Sequence, residues 1–142
     1  MDLVSACLVG IRCRYDGRSA VSRTMFKRFR KNELLPVCPE QLGGLPTPRS
    51  RAYIQKGSGE DVLRGRARVV TIDQQDVTEN FIRGAHQVVR LARALKSTAV
   101  YAKQKSPACG CGLIVRGQKT IRGNGVTTAL LRQAGITVIP VA

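Results

Sequence analysis

Short apolar runs alternate with longer stretches of helical periodicity along the whole chain. That alternation limits the available folds more than any other feature. DLVSA (2–6), LLPVC (34–38), TAVYA (98–102) and ITVIPV (136–141) have strand length and are bounded by turn residues. Between the first two, Ser19 to Lys31 places Val21, Met25, Phe26 and Phe29 at helical spacing, with Arg23, Lys27, Arg28 and Arg30 between them. Asp76 followed by Glu79 predicts a capping box. It opens a helix whose apolar face runs through Phe81, Ile82, Ala85, Val88, Val89, Ala92 and Leu95. GNGVTTALLRQAG enters a third helix that stops at Gly135. Strands separated by helices predict a three-layer α/β/α fold of Rossmann-like type, with a mostly parallel sheet and helices on both faces. No repeat or internal boundary interrupts the pattern, so residues 1–142 are expected to form one domain.

Two regions stand outside this scheme. PEQLGGLPTPRSR (39–51) carries three prolines and two adjacent glycines, which predicts a loop without a regular element. A loop of that length in a small protein is usually functional. Residues 52–75 predict an extended excursion or hairpin, with VLRGRARVVTI partly alternating, and LIVRG a further short strand.

Charge is the outlying property of the composition: 24 Lys and Arg against 9 Asp and Glu give +15. Such a field draws anions, whether nucleotides, nucleic acid or acidic surfaces. An Arg-rich composition alone would raise the count in the same way. Trp is absent and Phe plus Tyr number six, so few rings are available for base stacking. No stretch approaches the roughly 20 apolar residues that span a bilayer. The opening MDLVSACLVGIRCR lacks a basic leader, so the expectation is a cytoplasmic protein without a membrane partner.

Five cysteines, an odd number, then point to metal binding or thiol chemistry rather than structural disulfides. Cys7 follows the first strand, Cys38 ends the second, and Cys109 lies in the loop after TAVYA. The carboxyl ends of parallel strands share one edge, where ligands bind. Cysteines far apart in sequence can therefore meet in space. As small hydrophobes the three would need no such role, but their common placement at strand ends favours a site. Three thiolates do not close a structural zinc site, and paired CxxC motifs are absent. A four-iron cluster on three cysteines would keep one iron open as a Lewis acid. Cys13 and Cys111 are read as passive or auxiliary, although either could supply a fourth ligand or a resolving thiol.

SACLVGIRCRYDG (5–17), PVCPEQLGGLPTPR (36–49), KQKSPACGCGLI (103–114) and GNGVTTALLRQAGITV (123–138) resemble the signature blocks of the thiouracil desulfurases, over nearly the whole chain. The resemblance implies an oxygen-sensitive [4Fe-4S] cluster held by three cysteines, matching Cys7, Cys38 and Cys109. It also implies removal of sulfur from thiolated uracil compounds: 2- or 4-thiouracil, 4-thio-UMP, or 4-thiouridine in tRNA. Cys13 falls where relatives often carry valine, Cys111 falls at a variable position, and Ala108 replaces a more usual serine.

The expected chemistry is a non-redox replacement of thiocarbonyl sulfur by oxygen. The substrate sulfur meets the open iron, water adds to the carbon, and hydrosulfide leaves. Glu40, held by the CPE turn beside Cys38, is the candidate for handling protons. Ser106 and Lys103 are candidates for bonding the pyrimidine or a developing oxyanion. Asp16 of RYDG is a candidate for substrate or proton handling. Gly125, Thr127 and Thr128, at a helix N-terminus, form a candidate phosphate cradle, with Arg49 as a further anion contact. His86 is read as structural or surface. Two other classes compete: a zinc-stabilised RNA-binding protein, separated by metal analysis, and a thiol redox enzyme, weakened because CGC is not CxxC.

Overall fold

The computed structural model describes residues 1–142. Four parallel strands form the central sheet: β1 (Asp2–Ser5), β2 (Leu34–Val37), β5 (Ala99–Lys103) and β8 (Thr137–Val141), in the order β2-β1-β5-β8. Period-two alternation assigns their side chains to two faces. Leu3, Val37, Val100, Ala102 and Val138 turn to one face and meet Val88, Val89 and Ala92 of α4 (Thr78–Ala94) and Leu131 of α5 (Val126–Gln133). Val4 and Leu34 turn to the other and meet Met25 of α1 (Arg23–Arg30) and the 3-10 turn Ala6–Val9. The expected three layers are present, with helices on both faces. No helix is long and apolar enough to cross a membrane.

A second apolar cluster attaches the remaining pieces to the outer side of α4. The antiparallel pair β3 (Ala52–Ile54) and β4 (Val69–Thr71) brackets α3 (Gly59–Leu63). Ile54, Val62 and Val69 pack there with Phe81, Ile114 and Val126. The excursion over 52–75 is thus a hairpin, with a helix inside it. LIVRG forms β6 (Leu113–Arg116), and it has a partner the sequence did not announce, β7 (Lys119–Arg122).

Three local expectations are corrected. α1 starts at Arg23 rather than Ser19, because the Ser22 hydroxyl accepts from the Met25 N–H at 3.4 Å and fixes the cap. Asp76 does not pair with Glu79: its Oδ1 accepts from Thr78 N–H at 2.9 Å and its Oδ2 binds Arg68, leaving Val77 as N-cap. The third concerns 39–51, where Pro39–Leu42 forms a one-turn helix, α2. Pro39 sits at its first position, where the missing N–H costs nothing. α2 lies against α4 at Gly84, where an added Cβ would come within 1.9 Å of the Pro39 carbonyl oxygen. That glycine lets the segment carrying Cys38 and Glu40 settle onto α4.

Candidate metal centre and active site

The chain order leaves β1 towards β2 and later returns to β5 on the other side of β1. The carboxyl ends of β1 and β5 therefore flank a topological switch point, where parallel sheets take ligands. A cavity of about 240 Å³ lies there. Cys7, Cys38 and Cys109 all line it, and so does Cys13.

Each thiol is held by a local device. Cys7 lies one residue beyond the expected strand end, in the 3-10 turn Ala6–Val9, and its carbonyl accepts from Ala20 N–H at 2.8 Å. Cys38 is the N-cap of α2 in extended conformation, its Sγ 3.8 Å from the Cys13 carbonyl oxygen. Cys109 closes a turn in which the Ser106 hydroxyl accepts from the Ala108 and Cys109 N–H groups, both at 3.0 Å. Burial pushes the Cys109 thiol up to about 12; contact with the Ser5 hydroxyl opposes it. Contact with Cys13 and burial push Cys38 far above the ordinary thiol range. Cys13 reaches about 11: its contact with Cys38 lowers it, and contact with Cys7 together with burial raises it by more. The Glu40 charge adds to the upward push on Cys38 and Cys109.

These thiols stay protonated until a cation draws their protons off. A soft all-sulfur donor set suits iron–sulfur or thiophilic metals. No three Cys, His, Asp or Glu groups close around one point tightly enough to hold a single ion. A polynuclear core reached by thiols from three strand ends fits the donor set.

Glu40 is the sole acidic lining residue, 17% exposed, and its Oε2 accepts from Arg49 Nε at 2.9 Å. Lys103 lines the cavity from the end of β5, its Nζ donating to Gln104 O at 3.4 Å. Ser106 lines it too. With two N–H groups bonded to its oxygen, its own proton remains free to donate.

Two sequence expectations fail geometrically. Asp16 is exposed and off the cavity; its carboxylate accepts from Arg18 N–H at 3.0 Å, the usual Asx-turn work of an Asp-Gly turn. The phosphate cradle at α5 is already full. Val126 N–H donates to Pro107 O at 2.8 Å, while Thr127 and Thr128 N–H donate to Ala108 O at 3.0 and 3.3 Å. A Cβ on Gly125 would fall 2.4 Å from Ala108 O, so no anion fits there. The helix N-terminus holds the Cys109 loop, and Thr128 Oγ1 donates to Cys109 O at 2.9 Å. Thr127 is buried with its hydroxyl unpartnered. His86 is exposed on α4, as expected.

Cys111 lies elsewhere, in the core between α5 and the sheet, with its Sγ 3.7 Å from Val138 O and 3.1 Å from Arg132 Nη2. Sequence reasoning also missed part of the wall. Arg14, Tyr15, Arg51 and Lys105 line the cavity, with the Arg51 and Arg14 guanidinium carbons 5.6 and 6.0 Å from the Tyr15 ring centre. The RYDG block contains Arg14 and Tyr15. Its Asp-Gly signals only the turn, in which Asp16 accepts from Arg18 N–H, while the two side chains before it reach the cavity.

The sequence pattern of the 2-thiouracil desulfurase family matches residues 3–141. The uncharacterized protein YbbK of Bacillus subtilis (strain 168) is 47% identical over 142 residues, spanning 98% of this chain and 94% of its own. Among solved structures, a [4Fe-4S]-dependent thiouracil desulfidase, TudS, superposes with a TM-score of 0.85 at 40% identity, over 97% of this chain and 88% of that one.

Proposed function

The chain belongs to the 2-thiouracil desulfurase family, and we propose that it replaces the thiocarbonyl sulfur of a small thiolated uracil compound with oxygen. The proposed cofactor is a [4Fe-4S] cluster held by Cys7, Cys38 and Cys109. The observation that carries the reading is the convergence of these thiols, from the ends of three adjacent parallel strands, on one cavity that also holds a carboxylate. When bound, such a cluster supplies a Lewis-acidic iron without a protein ligand, suited to the substrate's sulfur.

The remaining work falls to side chains. Glu40, with Oε2 on Arg49, offers Oε1 to a water beside the thiocarbonyl carbon and accepts its proton as the C–O bond forms. The Ser106 hydroxyl and Lys103 ammonium donate to the pyrimidine carbonyl, or to negative charge that develops on the ring as water adds. As the new carbonyl forms, the proton of the added hydroxyl passes to the sulfur and the C–S bond breaks. Sulfur leaves as hydrosulfide, the proton held by Glu40 is released to solvent, and no net electron is transferred. The cavity of about 240 Å³ would hold the cluster at its thiol end and the pyrimidine beside it, with Tyr15, Ala52 and Val115 among the lining residues.

Arg14, Arg51 and Lys105, the latter two exposed, line the cavity with no acidic lining residue other than Glu40. This favours a substrate that carries a phosphate, such as 4-thio-UMP, with the anion at the cationic rim instead of at α5. Thiolated tRNA is the extended form of the same chemistry.

The test follows the ultraviolet band of the thione while anaerobically reconstituted protein is given 2-thiouracil, 4-thiouracil, 4-thio-UMP and thiolated tRNA. The expected result is fastest turnover of the monophosphate. Turnover of tRNA alone, falling steeply with salt, would move the substrate assignment. Absence of turnover on all four would reject the function.

A further inference from the structure

Arg49 is the most constrained cation in the molecule. Its side chain is 6% exposed. Nε donates to Glu40 Oε2 at 2.9 Å, Nη1 to Pro46 O at 3.1 Å and Thr47 Oγ1 at 2.9 Å, and Nη2 to Cys13 O at 2.8 Å. Four of its five N–H groups are thereby committed. Little capacity is left for an external anion, which runs against the sequence expectation of an anion contact. The acceptors lie in the Cys13 loop, in α2 and in the proline-rich turn. One planar group therefore joins the segment after Cys7 to the segment after Cys38.

The consequence falls on Glu40. Its carboxylate sits two residues from a candidate metal ligand, on a helix of a single turn, where backbone alone fixes a side chain poorly. A planar guanidinium directs the carboxylate it binds, whereas a lysine ammonium would act as a point charge. Only Oε2 is engaged, and Oε1 has no protein partner.

We infer that Arg49 is a positioning residue for the desulfurisation. It fixes the Glu40 carboxylate with one oxygen free for the cavity, and it does not bind the substrate. The inference rests on the reading of Glu40 as proton acceptor. Cys7 and Cys109 are placed by turns that Arg49 does not touch, and Cys38 by the cap of α2. Cys38 Sγ and Arg49 nevertheless share the Cys13 carbonyl, which is why iron content is read in both Arg49 variants.

The test uses reconstituted protein and four variants: Arg49→Gln, Arg49→Lys, Glu40→Gln, and the double variant Arg49→Gln/Glu40→Gln. The probe substrate is a thiolated uracil free base, which lacks phosphate. In Arg49→Gln, kcat is expected to fall about 100-fold, the scale of a misplacement of about 1 Å. KM should stay within about two-fold, with iron content and the visible spectrum of the cluster unchanged. Because both residues act through one carboxylate, the double variant should be no slower than Glu40→Gln alone. Arg49→Lys should remain impaired, and added guanidinium ion should restore part of the rate in Arg49→Gln.

A raised KM with unchanged kcat, or losses that multiply in the double variant, would overturn the positioning role. So would loss of iron in both Arg49 variants, since that would mark a cluster-holding residue. Full activity of Glu40→Gln would reject the underlying proton-acceptor reading. Full activity of Arg49→Gln beside an inactive Glu40→Gln would reject the positioning role alone.

Discussion

Gly125→Ala isolates the joint between α5 and the Cys109 loop. Gly125 has φ −68° and ψ 169°, an extended conformation that alanine adopts without strain. Any cost therefore arises from contact. The added Cβ would lie 2.4 Å from Ala108 O and 2.7 Å from Pro107 O, both backbone atoms that no rotamer change can clear. Restoring ordinary contact, at about 3.4 Å or more, requires the loop and the helix to separate by roughly 1 Å. The Val126 N–Pro107 O and Thr127 N–Ala108 O hydrogen bonds, at 2.8 and 3.0 Å, would both stretch beyond useful length. Two lost bonds cost about 1 kcal/mol each, and overpacking adds about 1–3 kcal/mol, so a total of about 3–5 kcal/mol is expected. At about 4 °C per kcal/mol for a chain of this size, Tm should drop by roughly 12–20 °C. Displacement of Cys109 should also lower iron uptake. Thermal unfolding of the metal-free protein reads the first effect, and iron analysis after anaerobic reconstitution reads the second. An unchanged Tm with full iron uptake would refute the claim that this helix terminus anchors the cysteine loop.

Other outcomes follow from the same geometry. Cys111→Ala should keep full iron content and turnover while losing about 1–2 kcal/mol in urea unfolding, since Cys111 is a core residue against Val138 and Arg132. Asp16→Asn should leave KM and kcat within about two-fold, as steady-state kinetics would show for a turn residue outside the cavity. The raised thiols make metal-free stability fall with alkali. Below pH 9.0, the ordinary thiol value, folded and unfolded chains are both protonated; above it the unfolded chain alone releases protons, until pH about 11 for Cys13 and about 12 for Cys109. The urea midpoint should therefore decline above pH 9.0, and less so in Cys13→Ala.

The parallel sheet was legible because its strands carry uninterrupted apolar runs and its helices carry a clear period. Leu3 and Val4 show this in two adjacent residues, one facing α4 and α5, the other facing α1. The edge shared by Cys7, Cys38 and Cys109 was legible from the topology alone, since parallel strands end together. α2 was not, because Pro39 and the following glycines read as breakers; a proline at the first helical position is compatible with one turn, and the close approach at Gly84 depends on a residue in α4. The fate of GNGVTT was equally hidden. Free N–H groups at a helix start suggest an anion, but the carbonyls of Pro107 and Ala108 reach them first, and that partnership joins segments distant in sequence. The cationic wall was missed for a similar reason: Arg14, Arg51 and Lys105 lie in three separate segments whose common address is set by the fold.

The most direct measurement is iron and acid-labile sulfide per chain after anaerobic reconstitution, in the parent protein and in single Cys→Ser variants at all five positions. About four of each is expected in the parent, with collapse in Cys7→Ser, Cys38→Ser and Cys109→Ser, and near-parent content in Cys13→Ser and Cys111→Ser. A colourless parent that carries stoichiometric zinc, or undiminished iron in any of those three variants, would contradict the site described above.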